Sequence, residues 1–210
     1  MLEELSKISL QVLPLLIVLF VILYYCAVIK MKETVGWFGE HWVKQELKKL
    51  PKDRYKTIND ILLRRGDRTC QIDHIVVSPY GIFVIETKQY NGFFVGGKYD
   101  KKWTMYAGKK KYYYENPIRQ NYGHCMIIKE LLKLDDSSVF NIVCIPSNAK
   151  LKIKHDGELT RNTTIAKKIL SYQKEVIKNY DEIFEKLVSL NIKDKNIRKQ
   201  HIQNIKKNIV

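Results

Sequence analysis

The clearest patterning in the chain lies between Gln71 and Lys88, QIDHIVVSPYGIFVIETK. Gln71–Val77 alternates polar and apolar residues, and Ile82–Thr87 is β-branched and aromatic, so both read as strands. Between them Ser78-Pro79-Tyr80-Gly81 has Pro second and Gly last, as a type I turn prefers. The stretch is a predicted β-hairpin in which Val77 pairs with Ile82. Tyr55–Leu63 is also strand-like and meets Cys70–Val77 through a basic turn, Arg64-Arg65-Gly66-Asp67-Arg68. Together the three runs predict an antiparallel meander.

Helical periods flank the meander. In Glu33–Leu50, with Thr34 as a cap and Pro51 as a stop, Glu40, Val43, Leu47 and Leu50 share one stripe; Gly36 extends it and Gly39 lies beside it. That stripe must face the sheet, and it carries the Glu40 carboxylate with it. Asn116-Pro117 opens a second helix, Ile118–Leu134, in which Gln120, Ile127 and Leu131 share a face. His124 on this helix has no evident partner and reads as structural. Val139–Ile145, VFNIVCI, suits a fully buried strand lying parallel to the inner strand of the hairpin. Leu151–Lys154 predicts a short strand, Thr164–Ile177 and Tyr180–Leu190 helices, and Lys193–Val210 a basic helical tail. Gln89–Tyr114 interleaves aromatics with lysines, with turns at Gly96-Gly97 and Gly108 and a short strand at Lys111–Tyr114.

One run is neither alternating nor amphipathic. Ile8–Ile29 carries no charge and is long enough to cross ~30 Å of hydrocarbon. Glu3, Glu4 and Lys7 precede it, and Lys30 and Lys32 follow it, a bias that places its C-terminal side in the cytoplasm. A cleaved signal peptide would want a basic start and small residues at a cleavage site, and neither is present. The expectation is a single-pass membrane anchor with a cytoplasmic domain behind it.

Composition sharpens this picture in two places. The net charge of +15 over 210 residues favours a polyanionic partner, either nucleic acid or an anionic membrane surface. Cys26, Cys70, Cys125 and Cys144 have no CxxC spacing, so they read as reduced thiols rather than a zinc site.

The candidate chemistry sits on the hairpin. Counting back from Val77 and Ile82 sets Asp73 opposite Glu86, with Cβ atoms roughly 4.5–5.5 Å apart, and Lys88 follows Glu86 on the same face. Two facing carboxylates repel unless something offsets the charge, and a hard divalent cation would do so. The same three residues would equally suit the solvated face of an edge hairpin. Around Trp103, the lysines Lys101 and Lys102 and the neighbouring tyrosines could bind phosphates and stack on bases, or could coat hairpin tips over a buried tryptophan.

Asp73…Glu86-Thr87-Lys88 resembles the D…(D/E)xK signature of the PD-(D/E)xK nuclease superfamily. The wider set is similar to the NERD, or nuclease-related, domain: Gly36-x-x-Gly39-Glu40, Asp73-His74-Ile75-Val76-Val77, Gly81 to Lys88, Gly92, Trp103 and Asn116-Pro117-x-x-Gln120, spanning about Thr34 to Pro146. Ile72 stands where the superfamily name has Pro. The resemblance implies an α/β fold: a restriction-endonuclease-like core with a mixed, largely antiparallel central sheet flanked by helices, here preceded by one transmembrane helix. It divides the chain into an anchor (1–32), a nuclease-like core (33–150) and a C-terminal helical extension with a basic tail (151–210). It implies phosphodiester hydrolysis with Mg²⁺ or Mn²⁺ held by Asp73 and Glu86. Lys88 would act on water, Glu40 and Gln120 would support the site, and Lys88, Arg119, Lys101, Lys102 and Trp103 would meet nucleic acid, DNA ahead of RNA. The rival expectation is a non-catalytic, membrane-tethered module that binds nucleic acid or protein.

Overall fold

The computed structural model describes the backbone of residues 2–207 and the side chains of residues 14–28, 38–205 and 207. The chain divides into two units, Met1–Phe38 and Gly39–Val210. The first helix, α1 (Leu2–Leu47), is continuous. The helix expected to begin at Glu33 is therefore the end of a longer one. Nothing between Ile29 and Val35 is Gly or Pro, so the sequence offers no stop there.

Within the first unit the apolar side chains from Leu15 to Tyr25 are exposed on every side of the helix, from 48% at Val21 to 70% at Phe20. Residues 8–13 and 29 of the expected membrane span lie outside the described side chains, as does Gly36. Among the described residues no helix is long and apolar enough to cross a membrane.

The second unit is built on two sheets. The larger has the order β1 (Lys56–Arg65), β2 (Arg68–Ser78), β3 (Gly81–Thr87), β7 (Val139–Ile145), β9 (Leu159–Arg161). The smaller has the order β6 (Lys110–Glu115), β5 (Lys102–Ala107), β4 (Phe93–Gly97), β8 (Lys150–Lys154). β1, β2 and β3 form the expected meander, with Val77 opposite Ile82. β7 then runs parallel to β3, and β9 parallel to β7. The hairpin closes at Ser78 and Gly81, where φ is +135° and a Cβ would fall 2.4 Å from the Phe140 ring, so only glycine fits.

Alternation along the larger sheet separates two apolar layers. Val77, Ile82 and Val84 pack with Cys125, Ile127 and Ile128 of α2 (Pro117–Leu132) and with Ile183 and Leu187 of α4 (Tyr180–Leu190). Val76, Phe83 and Ile85 pack on the other side with Val43, Leu47 and Leu50 and with α3 (Ile165–Leu170). The expected stripe on the first helix does face the sheet. The result is a mixed sheet flanked by helices on both faces.

Several expectations need correction. There are two sheets rather than one. Gly96 and Gly97 are strand residues of β4, not a turn. The helix expected to reach Ile177 stops at Leu170, because the Val176 and Ile177 amides instead donate to Pro79 O at 2.8 and 3.0 Å. The segment after residue 149 contributes β8 and β9, each at the edge of a sheet. Its tail does form a helix, α5 (Lys195–Lys207).

One irregularity matters for the site. Ile58 and Ile61 on β1, and their partners Ile75 and Ile72 on β2, belong to the same core layer although three residues separate each pair. Regular strands would put them on opposite faces. Asp60, at φ 53°, absorbs the slip, a conformation that costs a non-glycine residue on the order of 1–3 kcal/mol. Three hydrogen bonds hold it there: Gln71 Nε2 and Arg198 Nη1 donate to its carboxylate, and Arg198 Nη2 to its carbonyl.

Candidate active site

The slip ends the pairing of β2 with β3 at His74 and Ile85. One step further, Asp73 and Glu86 would face each other as a regular pair. Instead the Asp73 side chain takes over from the strand: the Thr87 amide donates to Asp73 Oδ2 at 2.8 Å. β3 meanwhile keeps its other edge on β7, with Glu86 beside Val143 and the Lys88 amide donating to Cys144 O. Glu86 is thus fixed on a strand held from both sides, while Asp73 is freed from its ladder.

Glu86 is buried, 4% exposed, and that burial is matched by contacts. Lys88 Nζ lies 2.6 Å from its Oε1, and Gln120 Nε2 donates to the same oxygen at 2.9 Å. Gln120 reaches it from the first turn of α2, which Asn116 caps by accepting from the Ile118 amide. Asn121, fully buried, fixes the helix on the sheet through Nδ2, 2.8 Å from both Val84 O and Asn141 Oδ1.

Glu40, Asp73, Glu86 and Gln120 line one cleft of about 520 Å³. Close packing brings Glu40 there: a Cβ on Gly39 would overlap the Gln89 side chain. Burial, then the Glu86 charge and that of Glu40, pushes the Asp73 carboxyl well above the usual carboxylate range, against the Thr87 hydrogen bond and Lys88. Burial, Asp60 and Glu86 raise Glu40 in the same direction. This is an excess of negative charge around the buried Glu86 that one lysine does not relieve.

Among the described residues no group of three or more His, Cys, Asp and Glu side chains forms a metal cage. The donor set is two carboxylates, and Asp73 Oδ1 has no hydrogen-bond partner among the described residues. Hard oxygen donors of this kind fit Mg²⁺ or Mn²⁺, which often take one or two carboxylates and complete their shell with water and phosphate.

Sequence reading missed three residues of this neighbourhood. His124 Nδ1 lies 3.5 Å from Glu86 Oε2 without hydrogen-bond geometry, and burial lowers the imidazole's basicity. Its position four residues after Gln120 on a helix was the available signal. Asp60 and His201 were not foreshadowed: one depends on a backbone irregularity, the other on where the tail docks.

Other expected residues lie elsewhere. Trp103 is fully buried, its Nε1 donating to Gly97 O, so it is a core residue and not a stacking platform. Lys101 and Lys102 precede it, Lys102 as the first residue of β5 and 3.4 Å from Glu115. Arg119 lines a neighbouring cleft on α2 with Tyr99 and Tyr122, which shares Arg65 and Gly123 with the cleft of Asp73 and Glu86. Tyr112 and Tyr113 on β6 stay exposed.

A mixed sheet whose hairpin carries an acidic pair and a lysine, backed by a helix glutamate and a helix glutamine, defines a nuclease-related class of domain. The chain belongs to the NERD, or nuclease-related domain, family, which matches residues 35–146. It is also 33% identical over 175 residues to an uncharacterized protein of Bacillus anthracis, covering 80% of this chain and 82% of that protein. No solved structure matches it significantly.

Proposed function

We propose that the protein is a metal-dependent nuclease that hydrolyses phosphodiester bonds of DNA or RNA, held at the cytoplasmic face of a membrane by its N-terminal helix. The observation that carries the chemistry is the grip on Glu86: a buried carboxylate bound by Lys88 at 2.6 Å and Gln120 at 2.9 Å, beside an Asp73 carboxyl that burial and then the Glu86 charge push well above the usual carboxylate range. Such crowding of like charge is costly in a resting fold and is a mark of functional sites.

Asp73 and Glu86 would hold Mg²⁺ or Mn²⁺, which supplies charge neutralisation at the scissile phosphate and a more acidic bound water. Gln120 and Lys88 fix the rotamer of Glu86, so the carboxylate is in place before substrate arrives. Lys88 also offers an ammonium beside the acidic pair, suited to orienting the attacking water. Glu40, which lines the same cleft, adds an oxygen acceptor. The apolar belt from Leu15 to Tyr25, exposed all round, supports the anchor, because a helix apolar on every face needs an apolar surrounding.

The test is cleavage by the full chain in non-ionic detergent, on single- and double-stranded DNA and RNA with Mg²⁺ or Mn²⁺. Cleavage lost in both Asp73→Asn and Lys88→Ala supports the enzyme. Salt-sensitive binding with no cleavage leaves a tethered binding module, and no interaction with any nucleic acid at low salt removes both readings. Recovery of the chain in the soluble fraction of lysed cells would remove the anchor.

A further inference from the structure

We propose that the β1–β2 turn and α5 form a polynucleotide-binding groove that continues the catalytic cleft and holds the phosphates flanking the scissile one. The proposal rests on the phosphodiester reading of the site. It replaces the aromatic and lysine surface around Trp103 as the main route of the substrate.

The cleft that contains Asp73 and Glu86 does not end at the acidic pair. A second groove, about 530 Å³, adjoins it, and Arg68, Thr69, His201 and Ile205 line both. Arg64 and Lys207 line the second groove, and Arg65 the first. Arg64 and Arg68 sit near the end of the β1–β2 hairpin, facing Thr69 and Arg65 across the ladder. All three arginines are exposed, and none has a hydrogen-bonding or ionic partner among the described residues. Some cations elsewhere are matched, Lys56 with Asp181, Lys129 with Asp136, and Arg198 with Asp60. Three unmatched guanidinium groups within five residues, beside a carboxylate site, are suited to successive phosphates, which planar guanidinium binds in bidentate fashion.

The far wall is a fixed part of the fold. Arg198 pins α5 to the Asp60 slip with bonds to its carboxylate and carbonyl, and also to Asn191 Oδ1 and Ile192 O. Asp194 Oδ1 accepts from the Asn196 and Ile197 amides at the start of the helix. His201, 8% exposed, sits 2.7 Å from Thr69 Oγ1 through Nδ1, and its Nε2 has no partner among the described residues. With the threonine hydroxyl donating, Nε2 carries the proton, leaving a buried donor on a residue that lines both grooves. A concave groove leading into a phosphodiester site fits a chain of phosphates better than a flat anionic leaflet.

The experiment is fluorescence anisotropy with a labelled single-stranded oligonucleotide, the full chain in non-ionic detergent, and EDTA to prevent cleavage. The double variant Arg64→Ala/Arg68→Ala is expected to bind about tenfold or more weakly, with the slope of log Kd against log salt shallower by about 1.4, the loss of two single-strand phosphate contacts. Lys174→Ala/Lys178→Ala removes the same charge from exposed positions away from the groove and should leave both quantities unchanged. Equal affinity for wild type and the arginine variant overturns the proposal, as does an equal loss in the lysine control. So does failure of the wild type to bind while the same arginines govern binding to phosphatidylglycerol vesicles. Arginine-dependent binding without cleavage when Mn²⁺ is restored would remove the enzyme reading and support the groove. If cleavage occurs, the arginine variant should show a KM for the oligonucleotide raised by about tenfold or more, in step with its weaker binding.

Discussion

Asp73 Oδ2 accepts a 2.8 Å hydrogen bond from the Thr87 amide at the point where the ladder between their strands has stopped. A side chain here does the work of a strand carbonyl, which couples the integrity of the sheet to the identity of residue 73. Asp73→Ala removes the acceptor and is expected to cost about 1–3 kcal/mol. Asp73→Asn keeps an acceptor oxygen and removes a charge. The folded-state pKa of Asp73 is raised, so its contribution to stability is fully present below its ordinary value near pH 4 and is lost as pH rises through the raised one. In EDTA, Asp73→Asn is therefore expected to be more stable than wild type at pH 7, the gap closing towards pH 4. Urea melts at the two pH values read this directly.

Gln120 is exposed apart from its contact with Glu86, so removing it should touch function rather than folding. Gln120→Ala is expected to weaken metal-dependent activity by about 10–100-fold, the usual cost of losing a group that orients a ligand. Titration of the rate with Mn²⁺ should show a raised half-saturation point, with an unchanged urea midpoint.

His74 is buried, 3% exposed, with Nδ1 on Asn59 Oδ1, and burial holds its pKa down to about 4. A lowered folded-state pKa means stability that is present above the unfolded value near 6.5 and lost as pH falls towards 4. That loss amounts to about 3 kcal/mol across the window. His74→Gln, which does not titrate, should show a flatter stability profile between pH 7 and pH 4 in the same buffers.

Trp103 seals the small sheet against the main core with Ile118, Val143 and Ile145. Trp103→Ala should cost about 3–5 kcal/mol. Oligonucleotide affinity of the folded fraction should not change. Lys101→Ala/Lys102→Ala should move stability by no more than about 0.5 kcal/mol. Thermal melts paired with anisotropy separate the two effects.

The hairpin register, the parallel placement of β7 and the grouping of Asp73, Glu86 and Lys88 were legible because each follows from a local rule, strand alternation or turn length, whereas Glu40 and Gln120 were joined to them by the family resemblance. The rest depended on tertiary partners. No period in the sequence signals the slip at Asp60, since its left-handed backbone is stabilised by Arg198, 138 residues away. β9 is three residues long and pairs only with β7, too short for alternation to register. Ser171–Asn179 has helical composition, but its Val176 and Ile177 amides go to Pro79 O in the β2–β3 turn. Trp103 amid lysines reads equally as a binding surface or a core, and only its neighbours decide.

β8 and β9 are the late-arriving partners of strands laid down long before them. A polypeptide still emerging from the ribosome at Pro146 has the whole family-matched region synthesised, yet β4 and β7 are bare along one side. Until some fifteen more residues appear, both present open hydrogen-bonding rims of the kind that recruit other chains. Recombinant fragments cut at that boundary should accumulate as inclusion bodies, whereas those extended past α5 should not.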